Sequence, residues 1–418
     1  MSTSRQDDGT TREDGFVLRA VPGMTGFSAQ EWATLGGTSR IESSGSDSDS
    51  TSSAFESETP YNPFISYDFL SILEESGCAV AQTGWQPLHL RLETTGGALV
   101  GAMPCYAKSH SQGEYVFDHG WADAFERAGG RYYPKLQAAV PFTPATGPRL
   151  LARPDGSAAA RAALAGGLKA LTGQIDASSA HVTFAVEPDI AALGEAGFLH
   201  RTDTQFHFFN EGYGCYDDFL ATLASRKRKA LKRERREALA AGIEIDWLTG
   251  SALTEAVWDD FFAFYMDTGG RKWGRPYLNR TFFSLLGERM ARDIVLVMAR
   301  RGRRYIAGAI NFIGSDTLYG RNWGCVEDHP FLHFEVCYHQ AIDFAIAHGL
   351  KVVEAGAQGE HKLARGYRPV TIHSAHHIAH PGLRRAIADY LERERREVEA
   401  VGDYLEEHGP FRKGVNSE

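Results

Sequence analysis

The order of apolar and polar positions predicts short strands mixed with helices. Residues 88–92 alternate between apolar and polar side chains and residues 98–106 are a short apolar run, so both are predicted strands. Residues 157–173 are rich in alanine and leucine and predict a helix. Strands and helices at this spacing indicate an α+β (α/β layered) fold. The other elements predicted in the first half are a helix at 66–76 and strands at 114–117, 180–186 and 204–209.

The second half of the chain shows the same mixture. Residues 216–241 predict one long helix, about 39 Å in length at 1.5 Å per residue, which ends at Gly242. Arg301-Gly302-Arg303 predicts a turn between two paired strands. The remaining predicted elements are helices at 254–267, 280–292, 332–348 and 382–407, and strands at 243–248, 293–300, 305–314, 316–325, 351–355 and 371–379.

Residues 37–60 interrupt this pattern. They are rich in serine, aspartate and glycine and hold almost no large apolar residue. Such a segment buries too little surface to offset its ordering entropy, so we predict that it is disordered. The chain is therefore divided into an N-terminal segment at 1–60, two domains at 61–212 and 213–381, and a charged C-terminal helix and tail at 382–418.

Composition narrows the class of protein. The 418 residues carry a net charge of −9, and ten acids against four bases lie in residues 1–60, so the rest of the chain is too close to neutrality for a general DNA binder. The five cysteines are scattered without a CxxC pair, which favours reduced thiols over disulfides or a zinc framework. No apolar run reaches the roughly 18 residues that span a bilayer, and the polar N-terminus lacks a signal core. We expect a cytoplasmic protein without a transmembrane segment.

Residues 356–366 (GAQGEHKLARG) directly follow the predicted strand 351–355. Their glycines let the backbone turn tightly and approach a ligand closely. Glu360 and His361 are candidates for proton transfer, Lys362 and Arg365 for binding a phosphate or carboxylate, and Gln358 for substrate contact. The alternative for this run is a helix N-terminus with exposed charges.

Several segments together resemble one family. Over residues 62–395 the chain resembles the N-acyltransferases related to Fem-type peptidyl transferases of the GNAT superfamily, often described as peptidoglycan biosynthesis or recognition proteins. The segments that carry the resemblance are NPF at 62–64, LEESG at 73–77, GEYVFD at 113–118, YYPK at 132–135, PFTP at 141–144, RKWGR at 271–275, WGC at 323–325, LHFE at 332–335 and the run 356–366.

The resemblance implies two tandem GNAT-like domains, each with a mixed central sheet flanked by helices, and an active cleft in the second. It implies a transferase with no tightly bound cofactor, which uses acyl-CoA or aminoacyl-tRNA as co-substrate. A small-molecule or peptide amine is the implied acceptor, and tRNA is an implied partner. The GNAT pyrophosphate-loop pattern is not evident in the chain, which argues against simple acetyl-CoA as the donor.

Three further charged residues share one face of the predicted helix 332–348. Glu335, His339 and Asp343 follow each other at i, i+4 and i+8, a spacing that could ligate a metal. For His339 and Asp343 we favour a solvated helix face instead. Glu335 lies near the helix start, beside the strand that carries Trp323, and it is a further candidate for catalysis. The four histidines at 373, 376, 377 and 380 divide between the two faces of a strand, so no metal site is predicted.

Cations next to aromatic residues give two further candidate groups. Arg271, Lys272, Trp273 and Tyr277 follow a Gly-Gly pair, and such a flexible turn suits an anionic or sugar-like ligand. A loop that extends its bases into water is the alternative. Tyr133 and Lys135 form a similar group in the first domain, and Trp323 is a candidate for substrate contact in the second.

Residues 226–236 hold eight bases and one acid on a predicted helix. A charge run of this kind is usually a solvated face. Fem-type enzymes carry basic residues at the matching helix, so the resemblance implies contact with CoA phosphates, tRNA or an anionic membrane surface. The candidates for polyanion contact are Arg226, Lys227, Arg228, Lys229, Lys232 and Arg233.

The leading hypothesis is an N-acyltransferase that moves an acyl or aminoacyl group to an amine. The alternative is a module that recognises a peptidoglycan-like or peptide precursor without chemistry. Rossmann, Walker and nucleophile-elbow motifs do not occur in the sequence, which excludes hydride transfer, nucleotide hydrolysis and serine-hydrolase chemistry of those types.

Overall fold

Two sheets organise the part of the chain that the structure describes. The computed structural model describes residues 15–40, 59–273, 276–356 and 359–412, and at 157, 271–273 and 360 it describes the backbone only. The strands are β1 (Phe16–Val21), β2 (Trp85–Pro87), β3 (His89–Thr94), β4 (Leu99–Met103), β5 (Tyr106–Lys108), β6 (Lys135–Ala138), β7 (Leu151–Ala152), β8 (Ser179–Ala185), β9 (Leu199–Phe209), β10 (Ile243–Leu248), β11 (Ile294–Arg301), β12 (Arg304–Ile313), β13 (Thr317–Cys325), β14 (Val352–Glu354) and β15 (Arg368–Ile378).

The larger sheet runs through both halves of the chain. Its strand order is β10-β11-β12-β13-β14-β9-β15-β8-β6-β5-β2, and the smaller sheet has the order β1-β3-β4-β7. Within the described residues, strands pair in parallel at β6–β8 and at β13–β14, and the other pairs are antiparallel. The predicted α+β fold class, with a mixed sheet flanked by helices, is confirmed.

Helices cover the sheets and fill the connections between strands. One of them contains a π-helical turn at Glu335–His339, between the α-helical segments Leu332–Phe334 and Gln340–Ala347. A short 3₁₀ helix follows β14 at Glu360–Arg365. The α-helices are α1 (Ala29–Trp32), α2 (Tyr67–Glu75), α3 (His119–Arg127), α4 (Ser157–Gln174), α5 (Glu187–Glu195), α6 (Tyr216–Thr222), α7 (Ser225–Ala238), α8 (Glu255–Trp273), α9 (Arg280–Arg289), α10 (Leu332–Phe334), α11 (Gln340–Ala347) and α12 (Pro381–Glu407).

The single long helix predicted over 216–241 is wrong, because the chain breaks between α6 and α7. Leu223 is extended (φ −83°, ψ 152°) and forms an isolated β-bridge with Phe411. The backbone N–H of Ala224 donates to the carbonyl of Pro410 at 3.0 Å. The C-terminal tail therefore supplies backbone partners that a continuous helix would have supplied locally.

Two other local predictions differ from the structure. Residues 114–117 are not a strand: Tyr115 has a φ of 62°, and Glu114 turns inward to bond Lys135. Helix α8 continues to Trp273 instead of ending at 267, so the backbone of 271–273 is helical rather than a flexible turn. A Cβ at Gly269 would lie 2.5 Å from the Cγ of Pro276, so glycine lets the following segment pack against this helix.

The predicted boundary at residue 212 falls inside one continuous sheet. Strand β9, before the boundary, lies between β14 and β15, which both come after it. Aromatic side chains also join the halves, since the Phe64 and Phe69 rings lie 4.8 and 5.5 Å from that of Phe312. The division at 212 stays a prediction. Of the segment 37–60, residues 41–58 lie outside the described residues, and Thr38 is buried.

Candidate active site

A gap opens in the larger sheet where β13 and β14 part. Thr317–Tyr319 of β13 pair with Val352–Glu354 of β14, and β13 then continues to Cys325 without β14 beside it. On its other side, β13 has one extra residue: Ala309 pairs with Trp323, whereas Asn311 pairs with Gly320. Such a bulge bends a strand and interrupts its ladder. The bend leaves open space beside the carboxyl end of β14.

A cavity of about 60 Å³ lies in this gap. Its floor comes from β12 and β13, and the helix that contains the π-turn forms one wall. The π-turn lies within this wall and includes Cys337 and Tyr338. The lining residues are Ala309, Asn311, Gly320, Arg321, Trp323, His333, Cys337, Tyr338 and Ala355.

The Tyr338 hydroxyl and the His361 Nε2 share a hydrogen bond of 2.9 Å at this wall. The His361 ring also lies 5.5 Å from that of Phe334, and the His333 ring lies 5.2 Å from that of Trp323. Gly359 (φ 121°) makes room for the imidazole, since a Cβ there would lie 2.4 Å from it. Burial raises the pKa of Tyr338 well above its usual value, so its hydroxyl stays protonated near neutral pH. The pair joins a hydroxyl to a group that can accept a proton.

Lys362 closes the loop that connects β14 to this wall. Its ammonium donates to the carbonyl of Gly356 at 2.8 Å, and the side chain is buried. Burial lowers the pKa of Lys362 to about 8; Cys337 works against this shift, and the positive Arg321 adds to it. The cavity therefore has a buried lysine nearby whose pKa lies close to neutral pH.

Arg365 and Glu335 are held in ion pairs with helix α7. The Arg365 guanidinium binds both carboxylate oxygens of Glu234 at 2.8 and 2.6 Å and lies over the Phe334 ring. Glu335 is fully buried and accepts from Arg235 at 2.9 Å and from Gln340 at 2.7 Å. Both side chains thus fix the basic helix to the cavity wall, a role that their local sequence does not indicate.

The expected solvated face of helix 332–348 is wrong. His339 is fully buried between the Tyr216 hydroxyl (2.6 Å) and Glu234 (2.8 Å). Asp343 accepts from Arg235 at 2.6 Å. These two charged residues face α7, whose Glu234 and Arg235 point inward.

The other face of α7 is open to water. Lys232 pairs with Asp217 and Arg233 with Glu237. The side chains of Arg226, Lys227 and Lys229 are exposed, and none of them forms a hydrogen bond or ion pair with another described residue. Arg228 is half-buried. The predicted polyanion contacts therefore include three cations that are free to meet a ligand.

Some predicted site residues cannot be compared with this geometry. Gln358 lies outside the described residues, and the side chains of Arg271, Lys272, Trp273 and Glu360 also lie outside them. Tyr277 stacks on Phe142, with ring centroids 4.8 Å apart. Whether these residues contact a substrate stays a prediction.

The first-half candidates lie in a separate buried network. The Lys135 ammonium is fully buried and bonds Ser111 (2.7 Å), Glu114 (2.6 Å) and Asp118. The Tyr133 hydroxyl shares a hydrogen bond with Ser111. The structure does not bring Lys135 or Tyr133 to the cavity between β13 and β14.

The sequence interpretation missed five cavity residues with polar side chains: Asn311, Arg321, His333, Cys337 and Tyr338. Asn311 had a usable signal, because it is a polar residue inside the otherwise apolar run IAGAINFI of β12. Cys337 and Tyr338 had none, since their position depends on the π-turn. Among the described residues, no group of three or more His, Cys, Asp or Glu side chains is placed to hold a metal ion, and no helix is long and apolar enough to cross a membrane.

The chain belongs to the FemAB-like family, described as peptidoglycan biosynthesis/recognition, whose family model matches residues 29–413. No curated protein matches the chain.

Solved structures with a similar course of the chain have low sequence identity to it. The structure of FemX shares 12% identity with a TM-score of 0.47, covering 75% of this chain and 93% of its own. L-PGS from Bacillus licheniformis shares 9% identity with a TM-score of 0.46, covering 73% and 88%. A tandem GNAT protein from the clavulanic acid biosynthesis pathway shares 11% identity with a TM-score of 0.41, covering 88% and 99%.

Proposed function

We propose that this protein is an N-acyltransferase whose reaction takes place in the cavity between β13 and β14. It moves an acyl or aminoacyl group from acyl-CoA or aminoacyl-tRNA to an amine of a peptidoglycan-like precursor. The observation that carries the proposal is the hydrogen-bonded Tyr338–His361 pair beside a cavity in the FemAB-like fold. We place the reaction in the cytoplasm, where both donors occur.

The transfer requires the acceptor amine to lose a proton. The amine nitrogen attacks the acyl carbonyl carbon, a C–N bond forms, and the C–O or C–S bond to the donor breaks. We assign the receipt of the amine proton to His361, whose Nε2 shares a hydrogen bond with the hydroxyl of Tyr338, a residue that lines the cavity. The proton then leaves with the CoA thiol or the tRNA hydroxyl.

As the amine attacks the acyl carbon, negative charge develops on the acyl oxygen, and a positive charge nearby stabilises it. The Lys362 ammonium lies on the loop beside Ala355, which lines the cavity, and it has one carbonyl partner among the described residues. A charged donor in a site shielded from water stabilises a developing oxyanion more than it would in bulk water. Lys362 is our candidate for this role, and Trp323 is our candidate for contact with the substrate.

Helix α7 supports a polyanionic donor. Its inward residue Glu234 binds Arg365, whose guanidinium also donates to the carbonyl of His361 at 2.7 Å. The exposed cations Arg226, Lys227 and Lys229 therefore belong to a helix that is fixed to the cavity wall. Phosphates of CoA or tRNA on this face would bring the acyl group towards the cavity.

The test is a search for transfer. The purified protein is incubated with charged tRNAs and acyl-CoAs and with peptidoglycan-precursor amines, and products are scored by mass spectrometry. We expect one donor class to give an N-acylated product, and Tyr338→Phe and His361→Gln to slow its formation. The absence of any product, together with no thermal stabilisation by any donor, would contradict an acyltransferase.

A recognition module without chemistry is the second candidate. It is favoured by the family description, which includes recognition, and by the ion pairs that occupy Glu335 and Arg365. This candidate predicts saturable binding of a precursor that His361→Gln leaves intact, with no turnover of any donor.

A further inference from the structure

One polar atom in the cavity has no partner. The Oδ1 of Asn311 is buried and accepts no hydrogen bond from any described residue, while the residue is only 1% exposed. An unpaired buried carbonyl oxygen has lost its hydrogen bonds to water without gaining a protein partner, which destabilises the folded state. An orphan of this kind in a lined cavity therefore calls for a functional explanation.

The orientation of the amide follows from its surroundings. The Nδ2 donates weakly to the carbonyls of Val295 and Ala309, both at 3.5 Å. Two carbonyl oxygens fix the nitrogen on that side, so the oxygen must face the other way. It faces Gly320, because a Cβ built at this glycine would lie 3.3 Å from the Oδ1.

Glycine at position 320 keeps the space in front of this oxygen open. The same Cβ would lie 3.5 Å from the carbonyl of Glu354 and 3.7 Å from the Cα of Ala355. A methyl group would fit there only by filling the gap between β13 and β14. Gly320 and the unpaired oxygen of Asn311 therefore together form one small site that can accept a hydrogen bond from a ligand.

The size and charge of the cavity restrict its ligand. A cavity of about 60 Å³ has room for a small group of a few non-hydrogen atoms, since one water molecule needs at least about 10–15 Å³ of accessible cavity volume. The ligand must donate a hydrogen bond, because Asn311 presents only an acceptor there. Arg321 lines the same cavity and Lys362 bonds close to it, so a neutral donor is favoured over a third cation.

We propose that the Oδ1 of Asn311 receives an N–H of the acceptor amine in its neutral form, and so orients the nitrogen lone pair for attack. This inference rests on the proposed function. A neutral nitrogen keeps its lone pair while it donates an N–H, so binding to Asn311 and attack on the acyl carbon are compatible. A hydroxyl of similar size would fit the space, but it has one hydrogen to donate and would lose it on attack.

A binding experiment tests the site without any acyl donor. Asparagine labelled with ¹³C at Cγ reports on each side-chain amide by NMR, and Asn311→Leu identifies the Asn311 signal. Hydroxylamine is the probe at pH 8, because it is small and neutral and carries N–H groups. Acetonitrile has a similar size but no donor hydrogen.

We expect hydroxylamine to shift the Asn311 signal until saturation and acetonitrile to leave it in place. In Gly320→Ala the added methyl group should abolish the shift, whereas Gly173→Ala, where the methyl group meets no atom within 4 Å, should preserve it. An unmoved Asn311 signal, as expected if water simply fills the cavity, would overturn the proposal. So would an equal shift in Gly320→Ala.

The activity arm uses hydroxylamine as the acceptor with the donor panel, and acyl hydroxamate is measured above the uncatalysed rate. Asn311→Leu should raise the KM for hydroxylamine by about tenfold, the loss of one neutral hydrogen bond, with a smaller change in kcat. Its Tm should be unchanged or higher, because the variant removes an unpaired buried polar atom. If Asn311→Leu had the KM of the wild type, the inference about Asn311 would be overturned, but the proposed acyltransferase activity would not. If hydroxylamine bound at Asn311 but no donor gave acyl hydroxamate, the amine site would be supported and the acyltransferase activity would be contradicted.

Discussion

Lys135 and Lys362 are both buried lysines, but their surroundings differ. Lys135 begins β6 and contacts two carboxylates, those of Glu114 and Asp118. Burial by itself would lower the pKa of Lys135, but these carboxylates outweigh burial and raise it above its usual value. Lys362 bonds a single carbonyl, and burial lowers its pKa to about 8.

The two parallel strand pairs, β6–β8 and β13–β14, also differ in what lies beside them. Beside β8, beyond the last pair Ala138–Val182, the segment 145–149 fills the space: Gly147 donates to Phe184, and the buried Arg149 donates to Thr183. Beside β14 the corresponding space is the cavity with the unpaired Asn311. Lysine, tyrosine and histidine therefore indicate a ligand-binding site only where the surrounding chain leaves an open cavity next to them.

The largest expected effect separates the two lysines by stability. Lys135→Met leaves Glu114 and Asp118 as buried carboxylates without their cation and should lower the free energy of unfolding by about 3–5 kcal/mol. Lys362→Met should not lower it, and near neutral pH should raise it, because the change removes a buried cation whose pKa is lowered and leaves only one carbonyl without its partner. Urea unfolding measures both.

A double variant checks the cause. Lys135→Met combined with Asp118→Asn should recover part of the loss, because the second change removes one of the uncompensated charges. Equal losses for Lys135→Met and Lys362→Met would mean that the two environments do not differ as we describe.

The second prediction concerns activity on the cavity side. His361→Gln removes the proposed proton acceptor and should lower the transfer rate by about 10²–10⁴-fold, or at least about 2.7 kcal/mol of activation free energy. His373→Gln is the matched control, because His373 of β15 bonds His200 of β9 and does not line the cavity. Steady-state rates with saturating acceptor are compared. A similar loss in both variants would point to the fold and not to proton transfer.

The third prediction uses pH to distinguish the lysines. The unfolded chain binds the Lys362 proton near its usual pKa of 10.5 and the native protein near 8. As the pH falls through this window, the native protein loses stability relative to Lys362→Met, by at most about 1.4 kcal/mol per pH unit. Below about pH 8 the difference between the two proteins should be constant.

Lys135→Met gives the contrast for this measurement. The folded pKa of Lys135 is raised, so its contribution is fully present below 10.5 and is lost only at higher pH. Urea unfolding from pH 7.5 to 10 should show a changing difference for Lys362→Met and a flat one for Lys135→Met. If the difference in unfolding free energy from the wild type did not change with pH for either variant, the two lysines would not differ in pKa as we describe.

The smallest effect on stability is expected at the surface of α7. Replacing Arg226, Lys227 and Lys229 by glutamine should leave the free energy of unfolding within about 0.5 kcal/mol per substitution, because these side chains are exposed. Binding of tRNA should weaken, and the log–log salt slope should become shallower by about 0.7 for each phosphate that the variant no longer binds. Lys232→Gln is the control, since its ammonium is already paired with Asp217. An unchanged slope in the triple variant would leave α7 without a polyanion role.

The sequence pattern predicted much of the fold but less of the site. Helices α2, α4 and α12 and most strands of the second half follow from periodicity and agree with the structure. The run 356–366 was placed correctly at the end of a strand, where His361 and Lys362 lie beside the cavity. What could not be predicted is which charges face inward: Glu234 and Arg235 belong to a run that looks uniformly solvated, yet they bind residues about 100 positions away.

The chain alone determined the class of fold, the position of the polar run after β14 and the basic character of α7, because these depend on local periodicity, turn residues and charge. The tertiary structure decided the break before α7, the burial of Glu335 and Arg365 and the opening beside Gly320. Each of these depends on which distant segment supplies a partner: the tail at Pro410, the acid Glu234, or nothing in front of Asn311 among the described residues. Contacts between residues so far apart in the sequence depend on how the whole chain packs, so local composition does not predict them.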